Sequence, residues 1–226
     1  VNSLNNCTKL THIIFGHGFS QPLANSLNKC SALTHLTLGY NFNHPLVNSL
    51  DKCSVLTHIV FDHDFNRPLD NSLDNCTALT HITFGFDFNQ PLYDFINVHP
   101  TLVHLGLGIN FNQKLELPLN IRSLRLNCNN GDYVDYLPDT IEELELGCNF
   151  NLELDNLPSS IKKITFDKSS RYNKKLNCLP NGLLILELPP NYDQQISLIP
   201  SGLSKLICSA NYKFIEDFAS VQVETY

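Results

Sequence analysis

Basic residues are scarce in this sequence. Its 226 residues include 15 lysines and arginines against 22 aspartates and glutamates, and the formal net charge is -7. No basic run is longer than two residues. Non-specific binding to nucleic acids depends on clustered lysine and arginine side chains that displace counterions from phosphates. The composition therefore predicts that nucleic acid is not a partner.

Long apolar runs and catalytic motifs are absent as well. The longest uncharged apolar stretches have four or five residues, whereas a helix needs about 20 to span a bilayer. No signal peptide, glycine-rich phosphate loop, HExxH or CxxC is present. Serine, histidine and aspartate recur as scaffold residues. We therefore predict no membrane partner, no enzymatic activity, no catalytic residue and no cofactor.

The sequence does contain a repeating unit. An apolar-x-x-apolar-x-apolar template recurs ten times, first at spacings of 23 residues and then at spacings of 19 to 22. The units begin at Leu10, Leu33, Leu56, Leu79, Leu102, Ile121, Ile141, Ile161, Leu183 and Leu203. This template is the strand signature of a leucine-rich repeat. Because side chains alternate along a strand, template positions 4 and 6 should point into the core and positions 3, 5 and 7 outward.

The predicted fold is an α/β-type leucine-rich-repeat solenoid that is mostly β. It should have about ten coils, one parallel sheet on the concave face, and arms of turns and 3₁₀ helix with little α-helix. The solenoid should cover residues 1–215, with 23-residue units to about residue 101, and residues 216–226 should form a C-terminal cap or tail. Because Val1-Asn2-Ser3-Leu4 repeats Val47-Asn48-Ser49-Leu50, we expect a fragment that lacks its N-terminal cap.

A second pattern follows the strands. Phenylalanine recurs at position 10, usually followed by asparagine and then by Gln-Pro-Leu or a near variant, as in Phe88-Asn89-Gln90-Pro91-Leu92. We expect the phenylalanines to stack in the core and the asparagines to bond backbone groups of the next coil. These units resemble FNIP repeats, a variant leucine-rich repeat of amoebae and of the giant viruses that infect them. The resemblance is tight from Leu10 to Leu115 and looser after it.

The resemblance implies a non-enzymatic scaffold for protein–protein interaction. Some members of the FNIP family carry an F-box before the repeats, which implies the substrate-recognition region of a cullin-type ubiquitin ligase receptor. We find no F-box in this chain, so ligase subunits would bind through a missing N-terminal region. Two alternatives stay open. One is a structural or self-associating viral or amoebal solenoid. The other is a bacterial-type leucine-rich-repeat effector domain, which Leu137-Pro138 and Leu157-Pro158 fit but the 23-residue units do not.

The outward positions of the first five units are nearly uncharged and form the candidate binding surface. Histidine occupies position 3 in all five, and position 8 is mostly aromatic. Uncharged surfaces that carry aromatic side chains favour protein binding. We predict that a protein partner contacts this concave face at His12, His35, Tyr40, His58, His63, His81, Phe86 and His104. Because adjacent imidazolium ions repel, binding should change between about pH 7 and pH 5.5.

Metal binding is not predicted. Parallel in-register histidines point side by side, and no carboxylate or thiolate at a fixed spacing completes a ligand set beside them. Cys7, Cys30, Cys53 and Cys76 recur every 23 residues within Ser-Leu-x-x-Cys arms, where they should stack as small buried hydrophobes. This use of cysteine favours a reducing, intracellular setting, the cytoplasm or a host cytoplasm.

Overall fold

The computed structural model describes residue 4, residues 7–129 and residues 132–226. The chain divides into two compact units, one up to Asn120 and one from Ile121 onward. The predicted solenoid boundaries include residues 1–3, 5, 6, 130 and 131, which lie outside the described residues.

The first unit contains five short parallel strands in its described residues, one in each coil. They are β1 (His12–Ile14), β2 (His35–Leu38), β3 (His58–Phe61), β4 (His81–Thr83) and β5 (His104–Leu107). Each strand begins at position 3 of the template and pairs in register with the next, so that every histidine lies beside the histidine of the neighbouring coil. The arm before β5 contains helix α1 (Tyr93–Val98), whereas the other arms form turns.

The second unit continues the same strand pattern. Its elements are β6 (Ser123–Leu126), the short helix α2 (Asp132–Asp135), β7 (Glu143–Leu146), β8 (Lys163–Phe166), β9 (Ile185–Glu187), β10 (Lys205–Cys208), a 3₁₀ helix (Ile215–Phe218) and β11 (Gln222–Thr225). Strands β6 to β11 pair in parallel in chain order. Among the described residues, no helix has the length and apolar character that crossing a membrane requires.

The fold is a parallel β-solenoid with little helix, as predicted, but the described residues form eleven strands rather than ten. The additional strand, β11, lies within residues 216–226, which were predicted only as a cap or tail. Gln222, Glu224 and Thr225 do not fit the apolar template. Backbone pairing with β10 forms this strand, and its side chains are mostly exposed.

Two ladders inside the first unit confirm the predicted roles of phenylalanine and asparagine. The position-10 rings of neighbouring coils stack with centroids 6.0, 6.1, 6.0 and 6.2 Å apart, from Phe19 to Phe111. Asn43 Oδ1 accepts from the backbone N–H of Asn66 at 3.1 Å, and Asn66 Oδ1 accepts from that of Asn89 at 3.0 Å. A stacked phenylalanine ring and a hydrogen bond to an asparagine side chain thus position each of these coils on its neighbour. In the second unit Phe150 occupies this column, and its ring stacks on that of Tyr172 with centroids 6.0 Å apart.

The arm cysteines form the predicted buried column. Cys30, Cys53 and Cys76 are fully buried, while Cys7 is partly exposed. Burial raises the pKa of the Cys53 and Cys76 thiols to about 12. The next residue at this spacing is His99, a buried residue that we did not predict to continue the column. Its Nε2 lies 3.0 Å from Leu73 O. The Cys53 thiol makes the equivalent contact two coils earlier, with Leu27 O at 3.7 Å.

The glycines at position 7 allow neighbouring coils to approach each other closely. A Cβ on Gly85 would lie 2.0 Å from Asp62 O, and a Cβ on Gly108 would lie 1.7 Å from Gly85 O. Position 7 was predicted to point outward into the candidate surface. That prediction is wrong for Gly39 and Gly108, which are buried, because the backbone of the preceding coil covers them.

Replacing Gly85 with alanine should therefore destabilise the first unit. Because the backbone of the preceding coil cannot move aside without disturbing the sheet, we expect a loss of about 2 kcal/mol in the free energy of unfolding, measured by urea denaturation. Gly16 is a matched control because it occupies the same template position and a Cβ there would meet no atom within 4 Å. Equal midpoints for Gly85→Ala and Gly16→Ala would contradict this account of the glycine column.

Candidate functional site

The five histidines at position 3 form a continuous stacked column, which we call the histidine ladder (His12, His35, His58, His81 and His104). Successive ring centroids lie 4.2, 4.3, 4.1 and 5.4 Å apart, and the ring planes are inclined to each other by 8° to 21°. The predicted single-file geometry is confirmed. The role of the ladder in binding stays a prediction.

A threonine before each histidine of the central coils fixes the orientation and the tautomer of its ring. His58 Nδ1 lies 2.8 Å from Thr57 Oγ1, and that hydroxyl donates its only hydrogen to Thr34 O at 3.0 Å. Because the hydroxyl has no second hydrogen, Nδ1 must donate to it. His35 and His81 repeat the arrangement at 2.9 and 2.8 Å. When these three rings are neutral, Nε2 keeps its lone pair and is a hydrogen-bond acceptor.

A second column runs beside the ladder at position 8. This aromatic row consists of His17, Tyr40, His63 and Phe86. The centroids of His17 and Tyr40 lie 6.0 Å apart, and the next two pairs stack at 4.2 and 4.5 Å. Tyr40 and Phe86 are 37% and 39% exposed, so each can still be buried further by a partner.

Burial and mutual proximity disfavour the charged form of the central ladder histidines. The pKa of His58 is lowered, first by burial and then by the neighbouring histidines His81, His35 and His12. The pKa of His81 is lowered by burial and then by His104 and His35. His58 and His81 are therefore neutral at pH 7, and together with the exposed Val60 between the two columns they form an uncharged strip. We call this strip, with the ladder and the aromatic row, the outer sheet face of the first unit.

Carboxylates are concentrated at one place on this face. His63 Nδ1 lies 2.8 Å from Asp64 Oδ1, and the backbone N–H of His63 donates to Asp62 Oδ1 at 2.8 Å. One ligand atom each from His63, Asp64 and Asp87 all lie within 4.8 Å of one another. The prediction that no carboxylate or thiolate completes a ligand set beside the histidines did not take these residues into account, and it stays a prediction. It considered the ladder at position 3, whereas the carboxylates follow the aromatic row at position 9.

The outer positions of the second unit carry paired charges instead. Arg125 and Glu145, which face each other in register on β6 and β7, form an ion pair with a separation of 3.1 Å. Lys205 and Glu224 on β10 and β11 are 2.9 Å apart. Because these side chains are at least partly exposed, each pair contributes at most about 1 kcal/mol. In each pair, opposite charges on neighbouring coils neutralise each other. These side chains therefore offer a partner little uncompensated charge.

Comparison with known proteins supports the FNIP and leucine-rich-repeat resemblance. The FNIP Repeat family model matches residues 111–149 and 133–169, which lie mostly in the part where the resemblance was predicted to be looser. CroV588, a giant-virus protein described as a novel circular LRR protein structure, shares 31% identity over 90% of this chain with a TM-score of 0.64. This chain spans only 31% of CroV588.

A second solved structure supports the fold alone. The alignment with the internalin InlF from Listeria monocytogenes str. 4b F2365 covers 96% of this chain and 67% of the internalin chain, with a TM-score of 0.58. The sequence identity is 15%. No curated protein matches the sequence.

The hydrogen bonds of the ladder predict a tautomer that nuclear magnetic resonance can measure. At pH 8, ¹⁵N chemical shifts of His35, His58 and His81 should show hydrogen on Nδ1 and a lone pair on Nε2, the minor form of a free imidazole. Replacing Thr57 with valine keeps the shape of the side chain and removes the acceptor, so His58 should revert toward the Nε2–H form. Nε2–H rings at all three positions in the parent chain would contradict the assignment.

The lowered pKa values of His58 and His81 predict acid destabilisation. The unfolded chain binds protons at these residues at higher pH than the folded chain does. Their contribution to stability is therefore complete above the unfolded pKa of about 6.5 and is lost as the pH falls below it through the folded pKa. Urea denaturation at pH 7.5 and pH 5.5 should show a smaller decrease for the His58→Gln/His81→Gln double variant than for the parent chain. An equal decrease in the double variant and in the parent chain would contradict this account.

Proposed function

The chain is a repeat protein of the FNIP/leucine-rich-repeat type, and we propose that it is a protein-interaction scaffold that binds its partner through the outer sheet face of the first unit. One observation carries this proposal. Two adjacent stacked columns, the histidine ladder and the aromatic row, present a largely uncharged surface across coils whose spacing the backbone fixes. A surface held in this way loses little side-chain entropy on binding.

The chemistry of the two columns suggests how a partner is recognised. The Nε2 lone pairs of His35, His58 and His81 form a line of hydrogen-bond acceptors. Tyr40 and Phe86 supply amphipathic and apolar area of the kind found at the energetic centre of interfaces. The partner that fits is a protein segment that offers hydrogen-bond donors to the ladder and apolar side chains to the aromatic row.

A catalytic role is not part of the proposal. Families built from FNIP and leucine-rich repeats are generally non-enzymatic. His35, His58 and His81 are held by threonines and by the neighbouring rings, an arrangement that suits recognition.

The finer assignment is the substrate-recognition region of a cullin-type ubiquitin ligase receptor, in an intracellular setting. It rests on the FNIP repeats and on the architecture of family members with an F-box. In a longer protein, a segment outside this sequence would supply the contact with ligase subunits. The self-associating viral or amoebal solenoid stays the alternative.

Capture from amoebal lysate with matched variants tests the proposal. We expect the parent chain to retain a partner that the Tyr40→Ser/Phe86→Ser variant loses by at least about tenfold, since both side chains are central to the surface. The control is Leu198→Ser in the second unit, where leucine is 67% exposed and binding should be unchanged. A partner retained equally by all three chains would contradict the proposed surface.

The same capture separates the alternatives. A longer protein that recovers cullin-complex subunits supports the receptor role, whereas recovery of only its own copies supports self-association. At about pH 5.5 the ladder gains charge, so binding through its acceptors should weaken relative to pH 7. A flat pH profile would remove the ladder from the recognition surface.

A further inference from the structure

The third coil of the first unit departs from both of its neighbours at positions 7 and 8, and it shares an aspartate with the fourth coil at position 9. Positions 7 to 9 read Gly39-Tyr40-Asn41 in the second coil, Asp62-His63-Asp64 in the third, Gly85-Phe86-Asp87 in the fourth and Gly108-Ile109-Asn110 in the fifth. The column at position 9 is therefore asparagine, aspartate, aspartate, asparagine. The repeat itself does not require acidic residues here, since asparagine serves in the flanking coils.

The backbone holds this column in register. The N–H of Asp64 donates to Tyr40 O at 3.0 Å, that of Asp87 to His63 O at 2.9 Å, and that of Asn110 to Phe86 O at 3.0 Å. Equivalent side chains on neighbouring coils thus stand next to each other. Two carboxylates in such positions repel, whereas asparagines do not.

No basic side chain offsets this repulsion in the described part of the chain. Neither Asp64 nor Asp87 has a lysine or arginine nitrogen within ion-pair distance there, and the one partner of this kind is His63 beside Asp64, which is charged only if it is protonated. Asn110 Nδ2 donates to Asp87 Oδ1 at 2.9 Å and so orients the carboxylate without neutralising it. The two negative charges are stabilised best by a cation that both can share.

We propose that His63, Asp64 and Asp87 bind a divalent transition-metal ion of the zinc or cobalt class. His63 Nδ1 and one oxygen from each carboxylate already lie within 4.8 Å of one another, so small rotations bring them to a common centre. One imidazole nitrogen with two carboxylate oxygens favours these ions over calcium and magnesium, which prefer oxygen ligands alone. When Nδ1 coordinates the ion, the ring carries its hydrogen on Nε2.

Neighbouring groups support this geometry. The bond from the His63 backbone N–H to Asp62 Oδ1 fixes the backbone before the ring, and the Asn110 amide fixes Asp87. Such outer contacts orient metal ligands in known sites. The ladder histidines do not form a competing site by the same route, because Nδ1 of His35, His58 and His81 is held by a threonine. Three protein ligands leave positions for water.

Titration with Co²⁺ tests the proposal without reference to partner binding. We expect the parent chain to bind about one equivalent with a visible d–d spectrum, with no thiolate-to-cobalt band in the near ultraviolet and with a raised melting temperature. The Asp64→Asn/Asp87→Asn variant restores the residue of the flanking coils, so it should fold. Without metal it should melt no lower than the parent, and it should bind Co²⁺ at least about tenfold more weakly.

Two further measurements make the result specific. The His35→Gln/His58→Gln variant should bind Co²⁺ as the parent does, and His63→Tyr, which copies Tyr40 of the second coil, should lose binding. The proposal is overturned by a parent chain that binds no Co²⁺ or by equal binding in the double asparagine variant. Loss of binding in the ladder variant or a thiolate band would overturn it too, because the ion would then sit on the ladder or on cysteines.

Discussion

The in-register pairing of parallel strands is the constraint on which the rest of the structure depends. Thr57 N donates to Thr34 O and Thr80 N to Thr57 O, in both cases across 23 residues of chain. This pairing brings every side chain next to its own equivalent at roughly the strand spacing of 4.8 Å. A residue type is therefore acceptable at a given position only if it packs well against the residue at the same position of the neighbouring coil.

Each column satisfies that condition by a different chemistry. Phenylalanine rings stack on phenylalanine, and asparagine has both a donor and an acceptor, so that each copy bonds the next coil. Glycine serves where the backbones approach most closely. At His58 and His81 the neutral ring is favoured, because burial and neighbouring histidines lower the pKa of both side chains. On the second unit, Arg125 and Glu145 alternate in charge instead.

The period of the sequence was sufficient to predict the strands, the inward and outward positions and most of the columns, because these follow from in-register stacking alone. It was not sufficient for β11, where backbone pairing forms a strand from polar residues, or for the burial of Gly39 and Gly108, which depends on how closely the coils approach. His99 was missed because it differs in type from the cysteines it follows, although the 23-residue spacing of Cys76 and His99 was available as a signal.

His63, Asp64 and Asp87 were missed for a related reason, and the reason is informative. The repeat pattern contains only what the units have in common, so it does not show the one coil that differs. In a solenoid the residues that the units share are already explained by stacking. A substitution that places two like charges in one column works against stacking and therefore needs a separate cause. The same reasoning distinguishes the histidine ladder from the aspartate pair on the outer sheet face. The ladder is stable when its rings are uncharged, whereas the aspartate pair is stable when a cation is present.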